Sequence, residues 1–525
     1  MTNLKKEHIF LLLAFFLVFI LGYYLRSYIP THADLPGSPY EVYSSNTPDK
    51  LLSSGEVHDY KDKATRYPVS QIINSFLPKF FKEIYLAYIL GAVAIFFLGK
   101  ELSQRNLGGF LAFAGYALAG ENLLAYMTTI GSSSLCYIFI WTSLLFLIKY
   151  TKNKQNSFLI LFIMTSLLSL MTYHTGATAL IMILLGMFVS FIYSKTIDRK
   201  IIYSFIFILM FYLSWLILFD VSQINLVLNS INGHGKMFVF FAILTSLLIL
   251  LGLFIISRIK FLRSEYFPLG ALILSGFLTF YQGDIFSKIL SLGVDNYYVS
   301  NITLNNYFAQ AILLHVYAFA LIPLIFKKNL NEETIFLRGW FLGLGIVFVG
   351  LYFEGYLARI LDYSFPLTFI LFSLYWLKHE KFRKTVVVGT LILLTISQLM
   401  IYNDPYSMRR YYTSEETVSA KNIIDLNFTG TIASDLRTSA LFSHFGKRDV
   451  LFAREDQKLH KYIFYSPEKV RELNVSYVIL SENMRVIVYG MNFETTPLTQ
   501  ETFNYYDRNF EKVYEDKTMK VYKIK

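Results

Sequence analysis

Long apolar runs separated by short polar turns fill the first four hundred residues. They read as helices over 9–25, 84–98, 107–120, 133–148, 158–173, 177–193, 201–219, 237–256, 267–282, 309–326, 335–352, 364–377 and 385–401. The runs are 14–20 residues long as bounded here, approaching the about 20 residues a helix needs to cross a hydrocarbon layer about 30 Å thick. About thirteen transmembrane helices are therefore predicted, in a polytopic α-helical membrane protein.

The pattern changes at Tyr402. From there the chain is polar, with short β-rich runs at Thr431–Ser434, Val475–Leu480 and Val521–Ile524 and helical pieces at Glu415–Leu426 and Pro467–Leu473. Near the end, KVYEDKTMKVYKI carries two strand-like runs around a polar turn, the form of a hairpin. The organisation expected is a membrane module over 1–401 and a small α/β domain over 402–525.

One turn breaks the rhythm of the first part. Residues 31–82 form its longest polar stretch, with prolines at 36, 39, 48, 68 and 78 and with Asp34, Glu41, Asp49, Glu56, His58, Asp59, Asp62 and Arg66. Two spans can be joined by a few residues, and a long loop among short ones is usually functional. The first reading of this loop is the wall of a catalytic site at the membrane surface.

Charge orients the map. The turns KELSQR (100–105), KYTKNKQ (149–155), SKTIDRK (194–200), SRIKFLR (257–263), KKN (327–329) and KHEKFRK (378–384) are basic, and the turns between them are much less so. Cytoplasmic loops carry the excess of Lys and Arg. The amino terminus, MTNLKK, is then cytoplasmic, the loop 31–82 lies outside, and an odd number of spans puts the tail domain on the extracytoplasmic face. A cleaved signal peptide ending at Thr31-His32-Ala33 is the rival reading of the first run, and it too leaves the loop outside. The chain is thus expected to be an integral, multi-pass protein of the cell membrane.

Composition agrees with this picture. Only 16% of residues are charged, against roughly 25% in soluble domains. The net charge of +11 could suggest nucleic acid, but the basic residues sit in clusters between apolar runs, which is a topology signal. The one cysteine, Cys136, lies inside an apolar run, so no internal disulfide can form.

Candidate chemistry concentrates outside. Asp34 and Glu41 follow the first span closely. A carboxylate there can serve as general base toward an acceptor hydroxyl, or hold a divalent cation, Mg or Mn, that neutralises a phosphate leaving group. Glu121 follows Gly120 at the outer end of the third span, and His174 sits in a very short outer turn, YHTG; both are candidates to line the same cavity. Arg359, in YLARILDYSFPL, lies at the outer mouth of the twelfth span, and Arg66 precedes Tyr67-Pro68. A guanidinium in an outer loop is a poor topology signal and a good fork for phosphate oxygens. For each of these residues the plain alternative is solvation or structure: a soluble loop carboxylate, a structural histidine, an arginine reaching to headgroups. Asn301, Asn427 and Asn474 begin Asn-x-Ser/Thr sequons. No GxxxxGK phosphate loop, HExxH or GxSxG is present, and charges well inside the spans are scarce, which weighs against an ion-coupled transporter.

These stretches together resemble the C-type (GT-C) membrane glycosyltransferases over most of the chain. SPYEVY and LLSSGEVHDYKDKATRYPVSQII are similar to their first outer loop. AYMTTIGSSSLCYIFIWTSLLFLIKY is similar to their second outer loop and the span after it. YHTGATALIMILL resembles their short outer turn with a histidine, and ARILDYSFPLTFIL their arginine-bearing span that meets the donor phosphate. Within the class the chain looks most like the catalytic subunit of oligosaccharyltransferase and, more distantly, the dolichyl-phosphate-mannose mannosyltransferases.

Three departures stand out. Ser38 occupies the position of an acidic residue before Pro-Tyr, Ser132, Ser133 and Ser134 replace acidic residues of the second loop, and no WWDYG motif occurs. The resemblance therefore implies sugar transfer from a polyprenyl-phosphate-linked donor to a glycan, lipid or protein acceptor, without implying glycosylation of asparagine. On this reading Asp34 and Glu41 are catalytic, Arg359 and Arg66 bind donor phosphate, and membrane lipid, not nucleic acid, surrounds the chain. A transporter or flippase of lipid-linked sugars, and a non-catalytic glycan-lipid-binding relative, are the alternatives.

Overall fold

The computed structural model describes residues 2–32, 85–118, 132–172, 180–188, 198–219, 255, 258–283, 301–325, 335–343, 368–375, 382–403, 412–446, 451–452, 457–485, 488 and 497–525, a few positions within these ranges excepted. The described helices before Ile401 belong to one compact unit for most of their length, and the elements from Tyr412 onward to another.

In the first unit the apolar runs are helices: α1 (Thr2–His32), α2 (Tyr85–Ser103), α3 (Asn106–Leu118), α4 (Ser132–Asn153), α5 (Asn156–Leu170), α6 (Arg199–Phe219), α7 (Tyr266–Phe280), α8 (Asn301–Ile325) and α9 (Arg383–Tyr402). The predicted run at 237–256 lies almost wholly outside the described residues. Among the described residues, two helices, Leu135–Asn153 and Arg383–Ile401, are by themselves long and apolar enough to cross a membrane. Their neighbours show which face meets which medium. On α6 the side chains of Tyr203, Ile206, Phe207, Met210 and Ile217 are at least half exposed, while Ile201, Phe205 and Ile208 are buried. The exposed set recurs at helical spacing, so α6 carries an apolar stripe on its outer face as well as its inner one. A helix apolar all round suits a hydrocarbon surround.

Small residues and rings set how closely these helices approach. α1 lies against α2 and α3: Phe15 stacks on Phe113 with centroids 4.5 Å apart, and the Tyr88 hydroxyl donates to the Phe19 carbonyl at 3.0 Å. Gly22 sits where a Cβ would come within 2.8 Å of the Ala117 carbonyl, so only glycine permits this approach. α4 and α5 are joined by a two-residue turn that needs Lys154 at φ 56, and the Ser143 and Ser166 hydroxyls meet between them at 2.6 Å. Hydroxyl pairs and small residues hold helices together where no hydrophobic effect acts between them.

The second unit contains α10 (Ser414–Asp425), β1 (Ile432–Ser434), α11 (Leu436–Gly446), β2 (Leu451–Phe452), α12 (Gln457–Phe464), β3 (Tyr477–Ser481), α13 (Gln500–Asn509), β4 (Glu511–Glu515) and β5 (Met519–Lys523), with 3-10 turns at Pro467–Glu472 and Glu482–Arg485. The strands form one sheet in the order β2-β1-β3-β5-β4. β1 is parallel to β2 and β3, and β5 is antiparallel to β3 and β4.

Period-2 alternation divides the core of this unit in two. Ile432, Ile479, Met519 and Val521 face a cluster with Tyr412, Ala420, Ile423, Leu441 and Phe442 from α10 and α11. Ala433, Val478, Leu480 and Tyr522 face the other way, toward Ile463, Phe464, Val470, Phe503 and Tyr506. The sheet is therefore sandwiched between helices. The connection from β1 to β2 passes along one face through α11 and that from β2 to β3 along the other through α12, as right-handed crossovers running in opposite directions require.

Candidate functional site

Within the helical unit, polar side chains gather where α7, α8 and α9 meet. α8 carries Asn305, Asn306 and Gln310 in its second and third turns, each no more than 1% exposed. Asn305 Nδ2 donates to the Tyr281 and Gly283 carbonyls at 2.8 and 2.9 Å, just past the end of α7. Asn306 Nδ2 reaches the Thr279 carbonyl at 3.4 Å. On the other flank Gln310 Nε2 donates to Ser397 Oγ of α9 at 3.0 Å, and that hydroxyl donates back to the Asn306 carbonyl at 3.2 Å. Two turns further along α8, the Tyr317 hydroxyl bonds Thr390. The pairing of 281 with 305, 397 with 310 and 390 with 317 makes α8 antiparallel to both of its neighbours.

Amide groups are there because burial in an apolar medium makes an unpaired backbone carbonyl costly. The carbonyls at the end of α7 have no intrahelical donor, and α8 supplies one in side-chain form. Among the described residues, Asn305 Oδ1, Gln310 Oε1 and the Ser275 hydroxyl have no hydrogen-bond partner. The cluster is uncharged, so it can hold hydroxyls or water and cannot carry proton-transfer chemistry.

Three of the basic turns meet within the same unit. Lys152 Nζ bonds the Glu101 carbonyl at 2.6 Å and its carboxylate at 3.3 Å. Asp198 accepts from the Tyr150 hydroxyl at 2.7 Å and lies 3.8 Å from Lys154 Nζ, and Lys200 Nζ donates to Asn156 Oδ1 at 2.9 Å. Residues of the turns 100–105, 149–155 and 194–200 are thus neighbours, as a shared side of the membrane requires.

The second unit holds its own charged centre. Thr413 caps α10, accepting from Glu416 N, and the Glu416 carboxylate bonds back to Thr413 N at 2.9 Å. The same carboxylate takes both arms of Arg437 from α11, at 2.6 and 2.7 Å, with side chains only 8% and 2% exposed. Tyr412 lies under the guanidinium, 4.5 Å from ring centroid to Cζ. Burial works to raise the Glu416 pKa, but the Arg437 charge and the hydrogen bonds from Arg437 and Thr413 outweigh it, and the carboxyl stays below its ordinary value. Asp516, in the β4–β5 turn, is likewise held down, to about 2: burial opposes, while Ser419, Tyr514 and the amides of Thr518 and Met519 donate to it. These carboxylates are ionised and already bonded, which suits structure better than proton transfer.

Asp34, Glu41, Arg66, Glu121, His174 and Arg359 all lie outside the described residues, as does nearly all of the loop 31–82. Among the described residues no group of three or more His, Cys, Asp or Glu could hold a metal ion. Sequence reasoning looked for charges in the spans and passed over the amides of α8. The signal was present in NNYFAQAILL, where three carboxamides interrupt an apolar run at helical spacing.

No protein-family model matches the chain, and no curated protein matches it. Among solved structures it is similar to ArnT from Cupriavidus metallidurans in the apo state, at 12% identity and a TM-score of 0.41, covering 100% of this chain and 99% of that one. It is also similar to ArnT from Cupriavidus metallidurans bound to undecaprenyl phosphate, at 12% identity and a TM-score of 0.39, covering 99% and 98%.

Proposed function

We propose that this chain is a membrane glycosyltransferase of the GT-C type. It moves a sugar from a polyprenyl-phosphate-linked donor to a glycan, lipid or protein acceptor on the extracytoplasmic face. The observation that carries the reading is the acidic loop 31–82, set directly after the first apolar helix in a chain whose other early turns are short. Undecaprenyl phosphate, bound in one of the ArnT structures, belongs to the class of lipid proposed here as carrier.

The reaction divides among few groups. Asp34 or Glu41 takes the proton of the acceptor hydroxyl. The hydroxyl oxygen forms a bond to the anomeric carbon as the bond from that carbon to the phosphate oxygen breaks, and the sugar inverts. Arg359, with Arg66, binds the phosphate as it leaves with the bond's electron pair, where a planar fork is most useful. Glu121 and His174 line the same chamber. A divalent cation, Mg or Mn, held by the acidic residues would neutralise the same leaving group.

Membranes carrying the Asp34→Ala and Glu41→Ala variants, supplied with polyprenyl-phosphate-linked donor, test this. Removal of the general base should lower transfer by about 10²–10⁴-fold with unchanged protein in the membrane. Full transfer by both variants would overturn the assignment. Flipping of the lipid-linked sugar across vesicles without transfer would instead establish a transporter, and binding with neither activity a glycan-lipid-binding protein.

A further inference from the structure

Where α4 ends and α5 and α6 begin, the helical unit gathers positive charge and spends its nearby acids. Lys152 Nζ lies 3.3 Å from the Glu101 carboxylate. Lys154 Nζ lies 3.8 Å from Asp198, which also accepts from the Tyr150 hydroxyl. Arg199 and Lys200 follow Asp198 directly, and neither makes an ion pair among the described residues. Lys154, Arg199 and Lys200 are all exposed. Like charges held together repel one another, so this rim keeps an excess of positive charge for an outside anion to neutralise.

Two apolar strips lead away from the rim. α5 and α6 start side by side: Lys200 Nζ donates to Asn156 Oδ1 at 2.9 Å, and Phe162 meets Phe205 between the helices, with centroids 6.0 Å apart. On α6, Tyr203, Ile206, Phe207 and Met210 follow Arg199 and Lys200 at three- and four-residue spacing and are at least half exposed. Cations and apolar groups therefore share one face of this helix. α5 has the same plan, with Asn156 and Ser157 exposed at its start and Ile160 and Met164 more than half exposed after them. Lys200 to Met210 spans about 15 Å of helix, the depth of one leaflet's hydrocarbon.

This pairing selects the form of the anion. A free inorganic anion would use the cations alone. An amphiphile with an anionic head uses the cations and the strips together, with Tyr203 at the level where aromatic rings favour the interface. Two strips descend from one rim, which suits a lipid with two acyl chains; a single isoprenoid chain would cover only one of them.

We propose that the surface formed by the starts of α5 and α6 binds an anionic two-chain phospholipid of the bilayer, such as phosphatidylglycerol. Its phosphodiester sits among Lys154, Arg199 and Lys200, and its chains lie along the exposed strips of α5 and α6. Basic groups at the ends of membrane helices attract anionic headgroups in this way. The site shares no residue with the transfer reading and does not rest on it.

Native mass spectrometry of the full chain, released from detergent micelles, is the test. The probes are dioleoyl phosphatidylglycerol and dioleoyl phosphatidylcholine, which share chains and differ in the charge of the head. Phosphatidylglycerol should bind roughly tenfold more tightly or better. A variant combining Lys154→Gln, Arg199→Gln and Lys200→Gln should weaken it about 100-fold, because each cation near an anionic lipid contributes about fivefold, and should leave phosphatidylcholine binding as it was. Arg258→Gln, Lys260→Gln and Lys384→Gln together make the same charge change in other basic turns and should leave phosphatidylglycerol binding as it was. All of these residues are exposed, so the melting temperature should hold in both variants. Inorganic phosphate and undecaprenyl phosphate, each at the concentration of the phospholipid, should fail to displace it. Equal binding of the two phospholipids, equal loss in the two variants, or displacement by either phosphate compound would overturn the proposal. No sugar donor is present, so none of these outcomes bears on sugar transfer.

Discussion

The Glu416–Arg437 pair illustrates how much one contact can support in a unit with no disulfide. It joins the starts of α10 and α11, and both charges are almost fully out of water. Breaking such a pair from one side leaves the other charge buried alone, at a cost of about 3–5 kcal/mol. Glu416→Ala and Arg437→Ala should each destabilise the second unit by that order in denaturant titrations followed by tryptic digestion of 412–525. Glu416→Ala adds the loss of the helix cap, about 1 kcal/mol. Acid acts on the same groups. Both Glu416 and Asp516 have carboxyl pKa values lowered by folding, so the folded state binds fewer protons than the unfolded one around these values. The stabilisation is complete above the unfolded values of 4.5 and 3.8. It is lost as pH falls through the folded ones, which for Asp516 is about 2. Melting temperature should be flat from pH 7 to 5 and fall steeply below about pH 4; a flat curve down to pH 2 would contradict these assignments.

At the level of elements, sequence and structure agree where local physics decides. Apolar runs of span length became α1 to α9 because hydrocarbon leaves the backbone no other partner than itself. The strands of the tail were legible at Ile432–Ser434, Tyr477–Ser481 and Met519–Lys523 because alternation places every second side chain on one face. What local pattern could not show was pairing. Nothing around Asn305 says that its amide will close the end of a helix twenty residues earlier in the chain. Nothing around Glu416 says that its partner stands at 437. The same holds for the proposed catalytic carboxylates Asp34 and Glu41, which lie outside the described residues. Close helix contact is the exception that sequence does foreshadow: Gly339 and Gly343 have the GxxxG spacing, and a Cβ on Gly186 would come within 2.5 Å of the Gly339 carbonyl and 3.1 Å of Gly343 N. Gly186→Val should force these segments apart, at about 1–3 kcal/mol, seen as a lower detergent-melting temperature; Gly270→Val, with open space around it, is the matched control.

For the whole molecule the clearest expectation concerns sidedness. The basic turns 100–105, 149–155 and 194–200 are neighbours in the helical unit, and on the sequence reading an odd number of spans would put the tail on the opposite side of the bilayer. Cys136 is buried, so background labelling by a membrane-impermeant maleimide should be low. In intact cells Lys517→Cys should react and Lys154→Cys should react only after permeabilisation. The opposite pattern would invert the topology and put the loop 31–82 on the cytoplasmic side, away from the lipid-linked sugars that the transfer reading needs.

The side-chain ties between α7, α8 and α9 have a mechanical corollary. Asn305 and Asn306 fasten α8 to the last turn of one neighbour, and Gln310, Ser397, Tyr317 and Thr390 fasten it to the other at two heights. Sliding any one of the three past the others would strip several bonds at once in a medium that offers no replacement. The trio must therefore tilt or shift as a single lever, and under the proposed transfer reading an entrance for a long isoprenoid tail would lie along its flanks.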